Sequence, residues 1–480
     1  MPTFATIIVG GGPGGLGPLL AAAQQGTLEG WLDAGVALIE RTEHLGGSLG
    51  RFGIASDSLG SSYLECLEAV KLSPPLRPLR DHAVAREMET YRYGFPPLAL
   101  VDRYMRLLGS GLSAMFDNHS VSRLYRGTNA TRARLQAEGS VTVEVERDGE
   151  TTMLTAHSAV IALGGRQQWQ ERELVPGFTL KDCSLRRVMP SDSLLQTSGL
   201  AAASEIIARA GGRRILILGG SHSAYAAAWA LTQLPAAAGL AEGQIEILQR
   251  RPPKVFYPDA QAAAADQYLT EPGDICPRTG RVHRMGGLRG FGREMWRQLA
   301  HRPGTVPDPR VTTRLLSLPA GQLRALLEQA ALVVPCFGYN SSTLPVLDAS
   351  GAPVALSADT GSVAVGDDCR LLLGDGRALD SVFGIGLGTG YRPPAYMGGE
   401  PNFDGQANSL WLYQNDIGAM VHHEVRRLSS ERRLSAALRL PVALVRGCSP
   451  HHAYSSRQPH NCSEESQVRP TSARQYRTGG

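Results

Sequence analysis

Lysine and closely spaced cysteine are what this chain most lacks. Its positive side chains are almost all arginine, with Lys71, Lys181 and Lys254 the exceptions, which reads as genomic composition. The formal net charge is only +4, with no basic stripe or interleaved aromatics, so a nucleic-acid partner is not expected. The seven cysteines, Cys66, Cys183, Cys276, Cys336, Cys369, Cys448 and Cys462, include no CxxC or similar pair, which argues against thiol exchange. Their odd number agrees with a reducing compartment. No apolar run approaches the roughly twenty residues of a membrane span. The first strand begins at Thr3 or Phe4 and leaves no room for a signal peptide, so a soluble, cytoplasmic protein is expected. Zinc-ligand spacing and a Ser, His and Asp order are missing too, so no metal is expected and nucleophilic hydrolysis fits poorly. With 480 residues there is chain enough for two or three domains with large cores.

What is present is glycine in two ordered places. The first is Ile7-Ile8-Val9-Gly10-Gly11-Gly12-Pro13-Gly14-Gly15, leading into an alanine-rich helical stretch from Leu19 to Gln25. Gly10 permits a sharp strand-to-helix turn, Gly12 lets backbone approach a pyrophosphate, and Gly15 lets the helix pack on the strand. The helix N-terminus then faces the phosphates. The next strand, Val36 to Ile39, ends on Glu40, the acid expected to bind an adenosine ribose hydroxyl, with Arg41 beside it. Strand, glycines, helix and terminal acid stand in the order of a dinucleotide-binding fingerprint.

The second place is Ile215-Leu216-Ile217-Leu218-Gly219-Gly220-Ser221-His222-Ser223-Ala224, followed by an alanine-rich helix through Ala230. Gly219 and Ser221 take the first two glycine positions and Ala224 the third, while Ser221 and Ser223 add hydroxyl donors for phosphate oxygens. His222 sits inside the turn, facing either a dinucleotide or solvent. The following strand, Ile245 to Leu248, closes on Gln249-Arg250-Arg251 where an acid would stand. Arginine suits a 2′-phosphate that a carboxylate would repel, so Arg250 favours NADPH over NADH. Two dinucleotide sites in one chain are the minimum apparatus for passing a hydride from nicotinamide to flavin.

Between the motifs, apolar strands alternate with alanine-rich helices, an α/β pattern with parallel layers and two Rossmann-like dinucleotide-binding domains. Leu98, Leu100, Val101, Tyr104, Leu107, Leu108 and Leu112 space as one helix, and residues 120 to 165 alternate as an antiparallel ribbon. A glycine- and arginine-rich stretch from Gly286 to Arg293 precedes a helix near Met295. The expected division is a first part of the FAD domain over 1–168, an inserted NAD(P)H domain over 169–338, a return to the FAD domain over 339–447, and a polar, disordered tail over 448–480.

With both fingerprints in place, the chain resembles the flavoprotein monooxygenases with two dinucleotide-binding domains, especially the amine N-hydroxylating branch and the flavin-containing monooxygenases. In that family short glycine segments mark the crossings between domains. Val160 to Gly165 resembles the first, and Val333-Val334-Pro335-Cys336-Phe337-Gly338-Tyr339 the second, although Cys336 and Phe337 replace the usual alanine and threonine. Leu387, in the stretch Ser381 to Gly390, stands where many flavoproteins carry an aspartate for the flavin ribityl chain; the amine hydroxylases also lack it.

The resemblance implies FAD and NADPH as cofactors, and O2 and a small organic molecule as co-substrates. One oxygen atom would pass to the substrate from a C4a-(hydro)peroxyflavin. It adds Gly47, Ser48, Arg51 and Gly386 to the residues expected around FAD, and a helix start near Asn408 facing the flavin. Glu400 lies in a turn near that face, where capping and catalysis are both compatible with its place. No side chain is assigned as catalytic. A NAD(P)H-dependent flavoprotein reductase or oxidase without oxygen insertion is the alternative, and a nucleotide-binding protein without turnover stands behind it.

Overall fold

The computed structural model describes residues 3–360 and 364–439. The expected disordered tail lies outside them. Residues Met1–Ser435 form the compact unit considered below.

The first sheet is built on β1 (Thr3–Val9), whose residues from Phe4 onward are buried, as suits a strand covered on both faces. It runs parallel to β2 (Val36–Ile39), which in turn pairs in parallel with β3 (Arg123–Tyr125). The strands β4 (Asn129–Leu135), β5 (Val141–Arg147) and β6 (Glu150–Ile161) follow as an antiparallel meander. The strand β6 does two jobs, and its sequence changes where the job changes. Its first half, Glu150 to His157, mixes polar and apolar side chains and pairs with β5, while Ser158 to Ile161 is wholly buried and lies parallel to β1.

The second sheet consists of β7 (Ile215–Leu218), β8 (Ile245–Gln249), β9 (Val311–Leu315) and β10 (Leu332–Pro335), all parallel, in the order β9-β8-β7-β10. Chain then returns to the first sheet with β11 (Val346–Leu347), β12 (Arg370–Leu372) and β13 (Ala378–Gly384). The last of these lies parallel to β6 through Val382↔Ala159 and makes the sheet nine-stranded. The two passages between sheets run side by side: Gly165 and Arg166 pair antiparallel with Ser341 and Asn340.

Helix α1 (Pro13–Gln24) follows β1 and is buried from Gly14 to Ala23, a burial its small residues allow. Helix α2 (Leu98–Asp117) carries the expected stripe, with Leu100, Val101, Tyr104, Leu108 and Leu112 inside. Helix α3 (His222–Thr232) follows β7, and α4 (Gly290–Leu299) lies in the long connection between β8 and β9. Helix α5 (Leu410–Gln414) starts two residues after the expected Asn408, and α6 (Asp416–Arg439) closes the described chain. The fold is therefore α/β with two Rossmann-like parallel sheets.

Candidate active site

The carboxyl ends of β1, β2, β6 and β13 converge on the first glycine turn. The Gly10 N–H donates to Ile39 O at 2.8 Å, Ala162 N to Val9 O at 2.8 Å, and Ile385 N to Ile161 O at 3.1 Å. Gly10 has φ +103°, and a Cβ on it would stand 2.4 Å from Ala162 O. A Cβ on Gly15 would lie 1.8 Å from Gly10 O, and one on Gly14 3.0 Å from Ile385 O. These three glycines are required by the protein's own backbone. Gly12 differs: nothing approaches its Cβ position closer than Gly47 Cα at 3.9 Å. Gly386 is also open, with Gly14 Cα at 4.0 Å. Gly12, Gly47 and Gly386 thus edge a cradle of bare backbone at the start of α1, whose N-cap carries no side-chain hydrogen bond. Pro13, at the first helical position, has no N–H to satisfy.

Glu40 closes the side of this cradle. Its Oε2 accepts from Gly11 N at 2.7 Å, and its Oε1 from Thr42 N and Oγ1, both at 2.9 Å. The carboxylate is held in place against the glycine turn. Arg41 and Ser48 are exposed. Asn408 stands on the opposite side, where its Oδ1 accepts from Gly388 N at 3.3 Å and from the Tyr413 hydroxyl at 3.4 Å.

At the second turn Gly219 has φ +141°, and a Cβ there would come within 2.6 Å of Cys336 O. Ala224 is fully buried, so α3 stands far enough from β7 to admit a methyl group where the first turn has Gly15. Ser221 is the N-cap of α3 without a side-chain bond and is exposed; His222 and Ser223 follow in the first turn of the helix. Gln249 is buried and accepts from the Tyr225 hydroxyl at 2.9 Å. Beyond it, the two arginines part company. Arg251 pairs with Asp404 at 2.5 Å, whereas Arg250 is exposed and has no ion-pair partner among the described residues.

The turns meet across a junction. Arg51 donates to both oxygens of Asp192, at 3.0 and 3.1 Å, and the Tyr339 hydroxyl donates to the same carboxylate at 3.0 Å. Arg51 therefore ties the segment after the first turn to both passages between sheets. His222 Nε2 stands 3.9 Å from Asp57 Oδ2, so the second turn faces the same segment. Glu400 is buried and accepts the Met285 N–H at 3.1 Å through Oε1, while its Oε2 has no partner. Burial pushes its carboxyl above the usual range. This contact joins the β8–β9 connection to the return segment; Asp192 and Met285 carry no local motif that would have marked them in the sequence, whereas Tyr339 ends the second crossing segment.

All five cysteines among the described residues are free. Burial pushes the thiols of Cys66 and Cys336 up to about 12, which keeps them protonated and poor nucleophiles. No helix among the described residues is long and apolar enough to cross a membrane, and no group of three or more metal-ligating side chains occurs among them.

Residues 4–273 match the pyridine nucleotide-disulphide oxidoreductase family. The chain belongs to that family. This oxidoreductase is 35% identical over 429 residues to the CMP-5'-(3-aminopropyl)phosphonate hydroxylase of Streptomyces rubellomurinus, covering 88% of this chain and 97% of the relative. In fold it is similar to the ornithine N-hydroxylase of Kutzneria sp. 744, with TM-score 0.51, 16% identity and coverage of 89% and 99% of the two chains. It is also similar to the reduced ornithine hydroxylase of Pseudomonas aeruginosa, with TM-score 0.51, 17% identity and coverage of 88% and 98%. The oxidoreductase is an FAD-dependent monooxygenase of the hydroxylase kind.

Proposed function

We propose that the enzyme uses NADPH and O2 to hydroxylate the amine of a small phosphonate-bearing substrate, of the type named for its Streptomyces relative. The observation that carries this reading is the bare glycine cradle of the first turn joined across one junction to a second glycine turn whose strand ends beside the unpaired Arg250. The open space beside Gly12 and Gly386 fits the pyrophosphate of FAD, since a side chain at either position would fill it. Gly10, Gly12, Pro13, Gly14, Gly15, Glu40, Arg41, Gly47, Ser48, Gly386 and Asn408 would hold FAD. Gly219, Ser221, His222, Ser223, Ala224 and Arg250 would hold NADPH.

Bound there, FAD supplies acceptance of a hydride and activation of O2 for transfer of one oxygen atom. The chain's own residues position and shield. Glu40 holds the adenosine end against the first turn, and Arg250 selects a 2′-phosphate. The Arg51–Asp192–Tyr339 link fixes the passages between sheets so that the two turns keep their spacing. Asn408 holds the Gly386 loop to Tyr413 beside the start of α1. The domains divide as 1–168, 169–338 and 339–447.

Turnover of CMP-5'-(3-aminopropyl)phosphonate with isotopically labelled O2 tests the reading. One labelled oxygen in a hydroxylamine product, with NADPH much preferred over NADH, is the expected result. Stoichiometric peroxide with unlabelled substrate recovered would overturn it.

A further inference from the structure

The connection between β8 and β9 is rich in arginine, and most of these side chains are answered. Arg251 and Lys254 pair with Asp404, Arg278 pairs with Asp416 at 2.8 Å, and Arg297 pairs with Asp266 at 3.0 Å. Arg284 is buried, donates to Met397 O at 3.0 Å, and lies 3.8 Å from Asp416. Of those that are not exposed, Arg289 and Arg302 form no ion pair among the described residues, and of the two Arg289 stands at the start of α4. The Arg289 guanidinium lies 4.2 Å over the Phe256 ring and donates one hydrogen bond, to Arg284 O. Its Nε is buried without a partner, and it forms no ion pair among the described residues.

A cation withdrawn from water without a counter-charge is costly, and here burial pushes the guanidinium below its ordinary range. The carboxylate whose charge it feels most is Asp57, which faces His222 at the junction. Arg289 also caps α4, and the next residue, Gly290, abuts the Phe95 ring of the first-sheet side: a Cβ there would be 3.4 Å from it. The unpaired charge therefore sits at the start of α4, the helix that meets His222 of the second turn: a Cβ on Gly292 would lie 3.4 Å from the imidazole.

Resting on the function proposed above, we infer that Arg289 is the anion anchor of the substrate site, taking an oxygen of a phosphonate or phosphate ester on the amine substrate. A dinucleotide phosphate has the same chemistry. The observations favour the substrate, because the second turn already offers Gly219, Ser221, Ser223 and Arg250 for the dinucleotide.

The test uses full-length, FAD-loaded enzyme with Arg289→Gln and Arg289→Lys. Three quantities are read: KM for the aminoalkyl phosphonate, KM for an alkylamine of the same length without phosphorus, and the dissociation constant of NADP+ from the flavin spectrum. Loss of one charged hydrogen-bonding group predicts a rise of about tenfold or more in the phosphonate KM for Gln, with partial recovery for Lys. The ratio of the two KM values collapses accordingly. A tenfold weakening of NADP+ with the KM ratio intact would overturn the inference in favour of a cofactor phosphate. Equal changes in both KM values would reduce Arg289 to a structural cation.

If the Gln variant fails to hold FAD, methylphosphonate serves as the probe in wild type and Arg289→Lys. Perturbation of the flavin spectrum by methylphosphonate, weakened by Lys, supports the anchor, and no perturbation of wild type overturns it. This binding readout stands even if no amine is hydroxylated, so failure of the anchor and failure of the proposed reaction are separately visible.

Discussion

The two glycine turns have the same shape and are held by different means. In the first, backbone presses on backbone from within the turn and from two neighbouring segments: Gly10 against Ala162, Gly15 against Gly10, and Gly14 against Ile385. In the second, Gly219 meets backbone at Cys336, Gly220 meets the Gln249 side chain at 2.9 Å and Arg251 O at 3.1 Å, and the third position tolerates Ala224. The first is locked by β6, the β13 loop and α5, whose Tyr413 O would stand 2.3 Å from a Cβ on Gly17. The lesson is that a shared fingerprint does not imply shared tolerance. A turn enclosed on several sides suits a cofactor that stays bound, and an open one suits a dinucleotide that comes and goes.

The largest break in this comparison should come from Gly15→Ala. A Cβ placed 1.8 Å from a backbone oxygen cannot be relieved by side-chain motion. The cost should exceed about 3 kcal/mol. Purified variant should carry little FAD, read as flavin absorbance per polypeptide, if it folds at all. Gly219→Ala should act next, through its positive φ and the Cys336 contact, at about 2 kcal/mol. Here FAD should remain bound while flavin reduction at limiting NADPH slows by about tenfold or more. Loss of FAD from this variant would show that the turns are not independent.

Acid should distinguish the first-sheet core in another way. His422 on α6 is 3% exposed, packs tilted against Trp31 with ring centroids 4.8 Å apart, and has its pKa pushed down by burial to about 4. Unfolded chain takes up the proton near 6.5 while the folded protein resists it. Stability is therefore full above that value and falls as pH drops toward 4, by about 2 kcal/mol at pH 5. Urea unfolding at pH 7 and pH 5 should show the loss, and His422→Phe should flatten it. The smallest effect expected is that of Arg250→Ala, which removes one exposed charge. It should cut the preference for NADPH over NADH about tenfold and leave NADH kinetics unchanged. An unchanged preference would move 2′-phosphate recognition to another residue.

Much of this molecule was legible in its sequence because the signals are local. Val9 to Gly15 and Leu218 to Ala224 each place strand end, turn and helix start within a few residues, and hydrophobic period fixes the strands around them. Glu40 could be found because it ends the next strand. Alternation in residues 120 to 165 marked the meander, although Arg123–Tyr125 and Ser158–Ile161 within that stretch pair in parallel, and the apolar spacing of Leu98 to Leu112 marked α2. Arg51 was singled out, but its bond to Asp192 joins residues far apart in the chain and has no periodic trace. The arginine-rich stretch before α4 was visible as composition, while the isolation of Arg289 depends on where every nearby carboxylate ends up.

The sequence by itself determined the α/β class, two dinucleotide turns and their order, because a tight turn between a strand and a helix admits few side chains. Tertiary structure alone decided which glycines are enclosed, which arginine is left unpaired and which side chains share the junction. Those outcomes depend on packing and charge pairing between distant segments, and no short stretch of chain encodes them.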